Sequence, residues 1–195
     1  LSMFDLMENA KQNSKVLTVE KYHTSEITWE DVAKFLYSES LIPNEILKDR
    51  ILNQGGSFRG NVEIQSGLWF APQGRKSIFS HFKGVTELLY KLNKSVDNTN
   101  CDYYEAKPCN CKSDWHLQGI RISMTDKITG YHADTVDAIF WQILGTSLWE
   151  VDQEETYELK PGDIVYLPTE TEHKVWGVGP RLGLIIDNLN TKYLK

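Results

Sequence analysis

His132, Asp134 and His173 are the residues of this chain whose types and spacing could do chemistry. The first two stand in the segment GYHAD, and the third closes GDIVYLPTETEH, much later in the chain. Two imidazoles and one carboxylate, with further coordination positions left open, are the donor set of mononuclear non-haem iron(II) centres. In an extended strand, residues i and i+2 point to the same side. His132 and Asp134 can therefore face one ion while Ala133 points away. His173 must then arrive on a different strand that returns to the same place, which a small β-barrel or jelly roll permits. A lone His-x-Asp occurs by chance in many chains, so the context of each half carries the weight.

The elements that must position these residues begin at Leu117. Ile120, Ile122 and Met124 alternate with Arg121, Ser123 and Thr125, the pattern of a half-buried strand. Ala138 to Val151 is a nearly continuous apolar run, interrupted by Gly145 and too rich in β-branched and aromatic residues for a helix. Tyr157 to Leu159 leads into Lys160-Pro161-Gly162-Asp163, a tight turn in which Pro-Gly favours a positive φ. Ile164 to Leu167, Lys174 to Val178 and Leu182 to Ile186 are further short strands. Closely spaced strands with turn signals between them indicate a sandwich or barrel.

The first part of the chain, about residues 1–95, reads as mostly helical. Thr28 and Asp31 resemble a capping start, after which Val32, Phe35 and Leu36 keep helical spacing. A second helix is expected over Pro43 to Leu52, ended by Gly55-Gly56, and a third over Ser77 to Leu92. Asn61 to Phe70 alternates enough for a strand. Residues 93–115 form a polar segment holding Cys101, Cys109 and Cys111, with His116 just behind. Their spacing does not suit zinc knuckles, and reduced thiols in a loop are expected rather than a zinc or disulfide site. A loop of this length inside a compact domain is often functional, and Tyr103, Tyr104 and Trp115 give it aromatic character suited to covering a ligand.

At 195 residues the chain suits one domain, 1–195, with a β core over about 117–190. Hydrophobic residues at 41% and charged residues at 25% are ordinary for a globular protein. A net charge of −6 and a pI near 5.4 speak against a general nucleic-acid binder. No apolar run approaches the ~18–20 residues of a membrane span, and the basic-then-apolar layout of a signal peptide is missing. A cytoplasmic protein with no membrane segment is expected.

The segment ITGYHADTVDAIFWQILGTSLW, Ile128 to Trp149, resembles the JmjC-like branch of the cupin superfamily. The shared elements are Thr129 three residues before the first His, the His-x-Asp pair, Phe140, and then Gln142, Gly145 and Trp149 as Q-x-x-G-x-x-x-W. PGDIVYLPTETEHKV resembles the second cupin half-motif through Gly162-Asp163, Pro168 and His173. Residues before this stretch match no family. The resemblance implies a mainly β protein with α elements: a double-stranded β-helix, the jelly-roll or cupin barrel, with N-terminal helices packed beside it. It also implies an Fe(II)/2-oxoglutarate-dependent oxygenase, a hydroxylase whose iron is held by His132, Asp134 and His173. O2 and a small-molecule or protein substrate would be its partners.

One position departs from the family pattern. Members usually carry Lys or Arg two residues after the glycine of Q-x-x-G, where it pairs with the distal carboxylate of 2-oxoglutarate; this chain has Ser147. A buried dianion without a cation would be costly. Arg181, at the start of the strand after His173, is the first candidate to replace it, and its planar fork suits a carboxylate. Thr129 would add a hydroxyl, and Arg121 is a second candidate. The alternative for Arg181 is a turn residue after Gly179-Pro180, paired with a surface acid. Ser147 also leaves room for a 2-oxoglutarate-independent metal cupin, a dioxygenase or isomerase, and for a non-catalytic ligand-binding barrel. Asp137 could hydrogen-bond a metal ligand or substrate, or be a solvated acid at a strand edge. Trp141 and Trp149 are expected in the core, and Tyr131 on the side away from the metal. Trp69, Arg75 and Lys76 are candidates for a substrate mouth.

Overall fold

The computed structural model describes residues 2–40, 68–70, 77–93, 114–124 and 130–188. In chain order the elements are α1 (Met3–Gln12), β1 (Leu17–Val19), α2 (Trp29–Ser40), β2 (Leu68–Phe70), α3 (Ser77–His81) and α4 (Val85–Leu92). There follow β3 (Trp115–Ser123), β4 (His132–Ala133), β5 (Asp137–Leu144), β6 (Ser147–Val151) and β7 (Glu155–Leu159). The last three are β8 (Ile164–Leu167), β9 (Glu172–Gly177) and β10 (Arg181–Asn188). The second helix expected over Pro43 to Leu52 lies outside the described residues, as do Thr129, Arg75, Lys76, Tyr103, Tyr104 and the three cysteines.

The strands form two antiparallel sheets. One runs β1-β8-β5-β10-β3-β2 and the other β4-β9-β6-β7. This is the double-stranded β-helix, with β1 and β2 drawn from the otherwise helical N-terminal part. The larger sheet is covered on both faces, which explains its continuous apolar sequence. On β5, Ile139, Trp141 and Ile143 pack with the helices, while Phe140 turns inward to Trp149, Val151 and Leu167. On β10, Leu182, Leu184 and Ile186 face the helices and Ile185 faces the barrel interior. The candidate site lies on β4 and β9 of the smaller sheet, whose inner face packs against this one.

Local chemistry sets the ends. Thr28 and Asp31 cap α2 reciprocally: Asp31 N–H donates to Thr28 Oγ1 at 3.3 Å, and Thr28 N–H to Asp31 Oδ2 at 2.8 Å. The expected helix over Ser77 to Leu92 is two helices, because Gly84 takes φ +89 between them, a left-handed value that ends one helical path and starts another. Gly162 adopts φ +96 in the expected Pro-Gly turn, where Asp163 N–H donates to Lys160 O at 2.9 Å. Trp115, expected in a ligand-covering loop, instead opens β3 and is buried edge-on to Tyr166, with ring centroids 6.3 Å apart. An aromatic side chain facing the helix-side core gains more there than in solvent. No helix among the described residues is long and apolar enough to cross a membrane.

Candidate metal centre

Strand β4 lies antiparallel on β9 with His132 directly opposite His173, and the two imidazole centroids are 4.4 Å apart. A strand of only two residues suffices because its partner fixes the register. Each ring has Nδ1 2.9 Å from the carbonyl oxygen two residues earlier in its own chain, Gly130 O for His132 and Thr171 O for His173. A carbonyl oxygen only accepts, so Nδ1 carries the proton and Nε2 keeps its lone pair. That is the tautomer and orientation of a metal-binding imidazole, with its outer nitrogen anchored to backbone. His173 is buried and His132 exposed. Burial holds His173 below its ordinary value, and His132 beside it adds to this; the Thr171 carbonyl and Asp134 oppose. The ring is thus neutral and able to ligate near pH 7.

Asp134 follows on the same side. Its Oδ2 lies 3.9 Å from His173 Nε2. Two donors bound to one first-row ion at ~2.0–2.2 Å can be no more than about 4.3 Å apart, so this separation is compatible with a shared ion. Among the described residues no group of three His, Cys, Asp or Glu side chains closes round an ion as it stands. His132 lies against His173, and Asp134 lies near the Nε2 of His173. Tyr131 points to the other side, as expected: Lys174 Nζ sits 4.7 Å from its ring centroid on the outer face of β9.

The interior around His173 is built from both sheets. Trp149 stacks on the His173 ring at 5.6 Å between centroids and 23° between planes, and Phe140 tilts against Trp149 at 4.8 Å. Ser147 is fully buried and belongs to a chain of hydrogen bonds. Trp149 Nε1–H donates to Ser147 Oγ at 2.9 Å, and Ser147 Oγ–H donates to Gln142 Oε1 at 2.6 Å. The Ser147 hydroxyl is thus a structural link.

Arg181 is not a surface turn residue. It is 6% exposed and begins β10, and its guanidinium crosses to the second sheet over Gly177. A Cβ built on Gly177 would lie 2.0 Å from Nη1 and 2.5 Å from Cζ. Gly177 is the cross-strand partner of Ser147. The structure therefore brings the Arg181 guanidinium close to Ser147, where the resemblance leads one to expect Lys or Arg. From His173 to Gly177 the strand runs about 13 Å. Arg121 is half-buried on β3, with Ile120 and Ile122 on either side turned to the helices.

Asp187 escaped the sequence reasoning, and His116 was noted only beside the cysteines. His116 and Asp187 are cross-strand partners on β3 and β10, 1% and 3% exposed. Their neighbours Trp115, Leu117 and Ile186 face the helices, so both stand on the interior wall, level with Ala138 at the end of the barrel where β5 begins. Strand alternation was the available signal, obscured by the break in register between Ile185 and Ile186. Asp137, weighed as a solvated edge acid, is instead 2% exposed and fully engaged.

No protein-family model matches the sequence, and no curated protein matches it. Solved structures do resemble the fold. The Escherichia coli ribosomal oxygenase YcfD superposes on 96% of this chain at 16% identity with a TM-score of 0.57; this chain spans 51% of its length. An RmlC-like cupin from Methanocaldococcus jannaschii, described as a double-stranded β-helix, matches 40% of this chain and 75% of its own at 17% identity, TM-score 0.37. Salicylate 1,2-dioxygenase from Pseudaminobacter salicylatoxidans matches 37% of this chain and 20% of its own at 14% identity, TM-score 0.35. At such identities the likeness is one of architecture, and the strand order above is that of a double-stranded β-helix.

Proposed function

We propose that this chain is an Fe(II)- and 2-oxoglutarate-dependent oxygenase that hydroxylates a small molecule or a protein side chain. The observation that carries the proposal is the direct pairing of His132 with His173, both Nδ1 atoms anchored, with Asp134 3.9 Å from His173 Nε2. The donor set fits iron(II): two neutral imidazoles and one carboxylate leave positions for a chelating 2-oxo acid and for O2. Iron held there would supply O2 activation, with 2-oxoglutarate oxidised to succinate and CO2 and one oxygen atom entering a substrate C–H bond. The fold shared with a ribosomal oxygenase is in keeping with this.

The chain's own residues do the rest. His132 and His173 present Nε2, and Asp134 offsets positive charge. Trp149 holds the His173 ring in place from the interior side. Phe140, Val151 and Leu167 keep that side apolar, so water is excluded from the reacting atoms. Arg181 binds the remote carboxylate of 2-oxoglutarate, a task that its position beside Ser147 supports. Thr129 adds a hydroxyl in this proposal.

Ser147 favours a second reading, a metal cupin that works without 2-oxoglutarate, because its hydroxyl is committed to Trp149 and Gln142. Anaerobic titration with Fe(II) and then 2-oxoglutarate separates the two. A visible charge-transfer band that is lost in His132→Ala and weakened in Arg181→Ala supports the first. Iron binding without the band supports the second, and absence of metal binding defeats both.

A further inference from the structure

We infer that Asp137 is a positioning residue for the metal centre, acting from the helix side of the larger sheet on the loop that joins the ligands. The inference rests on the metal site proposed at His132, Asp134 and His173. Asp137 is the first residue of β5, with its side chain 3% exposed. A buried carboxylate is tolerated only with partners that satisfy it. Here Tyr166 Oη–H donates to Oδ2 at 3.0 Å, Lys11 Nζ of α1 lies 3.0 Å from the same oxygen, and Thr169 N–H donates to Oδ1 at 2.9 Å.

The third of these bonds reaches the site. Thr169 Oγ1–H donates to the backbone carbonyl of Asp134 at 3.3 Å, and Glu170 N–H donates to that same carbonyl at 2.8 Å. The loop then turns through Thr171 N–H to Pro168 O at 3.3 Å, and Thr171 O anchors His173 Nδ1 at 2.9 Å. Asp137 therefore grips a four-residue loop, Pro168 to Thr171, that holds the backbone of one ligand and the ring of another. Helix α1 joins the same grip through Lys11. Ligands must hold their geometry closely to bind an ion tightly, and outer partners of metal ligands typically carry ~10–100-fold in affinity.

The test is Co(II) binding, followed by its visible absorption, together with thermal unfolding of the metal-free protein. Asp137→Ala is expected to weaken Co(II) affinity by about 10–100-fold, measured well below its own Tm. Asp137→Asn keeps an acceptor for Thr169 N–H and is expected to restore most of that affinity, even though it loses the charge facing Lys11. Thr169→Val removes only the hydroxyl bond to Asp134 and is expected to lose several-fold in affinity with little change in Tm; it keeps the inference testable if Asp137→Ala does not fold. If the variants lower Tm yet bind Co(II) as tightly as the wild type, Asp137 is structural only and the inference is overturned. A wild-type protein that binds no Co(II) overturns the metal reading, and this inference with it.

Discussion

Gly177→Ala isolates the contact through which Arg181 would hold the remote carboxylate in the proposed function. The Cβ would enter 2.0 Å from Arg181 Nη1, 2.5 Å from Cζ and 2.6 Å from Cδ. Carbon contacts settle near 3.5–4 Å, so the guanidinium must retreat by more than an ångström. The backbone offers no obstacle, since Gly177 is not among the residues with positive φ. The clash is with the end of a flexible side chain, so stability should fall by about 1 kcal/mol, the low end of overpacking costs. The ligand contact should suffer more. Losing a hydrogen bond to a charged group costs about 1.5–3 kcal/mol, which is roughly ten- to hundred-fold in Kd. The assay is anaerobic titration of the Fe(II) protein with 2-oxoglutarate, with Co(II) affinity measured alongside. Metal affinity should hold, because His173 is about 13 Å away along the strand. A Gly177→Ala protein that binds 2-oxoglutarate as tightly as the wild type refutes the reasoning: the remote carboxylate would then be held elsewhere.

Ser147→Ala leaves Trp149 Nε1–H without its acceptor and Gln142 Oε1 without that donor, both buried. Urea unfolding should show a loss of about 1–3 kcal/mol. Gly183→Ala would drive a Cβ to 1.9 Å from Phe140 Cζ, inside the ring's own volume. Unfolding should register about 1–3 kcal/mol of overpacking, and the double variant with Phe140→Leu should recover part of it. His23 is buried, with Nε2–H donating to Gly84 O at 2.8 Å and Nδ1 3.1 Å from Lys91 Nζ. Burial, helped by Lys91, holds it below its ordinary 6.5, so the unfolded chain takes up the proton first. The stability it confers is complete above pH 6.5 and is lost as pH falls from there toward the lower folded value. His23→Gln can make both bonds without titrating, so its stability measured between pH 5 and 7 should fall less steeply than the wild type's.

Periodicity made the barrel legible, because a sheet buried on both faces writes long apolar runs and its turns demand glycine. Ala138 to Val151 was readable as a non-helical apolar run with Gly145 in its middle, and it falls in β5 and β6, with Gly145 at φ +70. The break inside Ser77 to Leu92 was not readable, since Gly84 is one glycine in an otherwise continuous helical pattern and its φ is set by tertiary contacts near His23 and Trp141. Among the site residues, His132 and Asp134 declared themselves by their i, i+2 spacing. The pairing of His132 with His173 depends on strand register, which spacing along the chain does not specify. For a related reason the sequence left Asp137 open between a hydrogen-bonding role and a solvated edge acid. A carboxylate at a strand end looks solvated until Lys11, more than a hundred residues away in sequence, is seen to meet it.

The place of the Arg181 guanidinium depends on positions other than its own. With Ser147 on β6 committed to Trp149 and Gln142, a guanidinium can reach this place only from another strand. Arg181 does so from β10, and that path requires that the cross-strand partner of Ser147 carry no side chain; the partner is Gly177. It also requires the chain before Arg181 to pass close to the β5–β6 turn. There a Cβ on Gly145 would meet Pro180 O at 2.1 Å and the Arg181 backbone at 3.0 Å. Two glycines thus bracket one arginine, one beneath its backbone and one beneath its guanidinium. Gly177 is the position that lets Arg181 reach the second sheet beside Ser147.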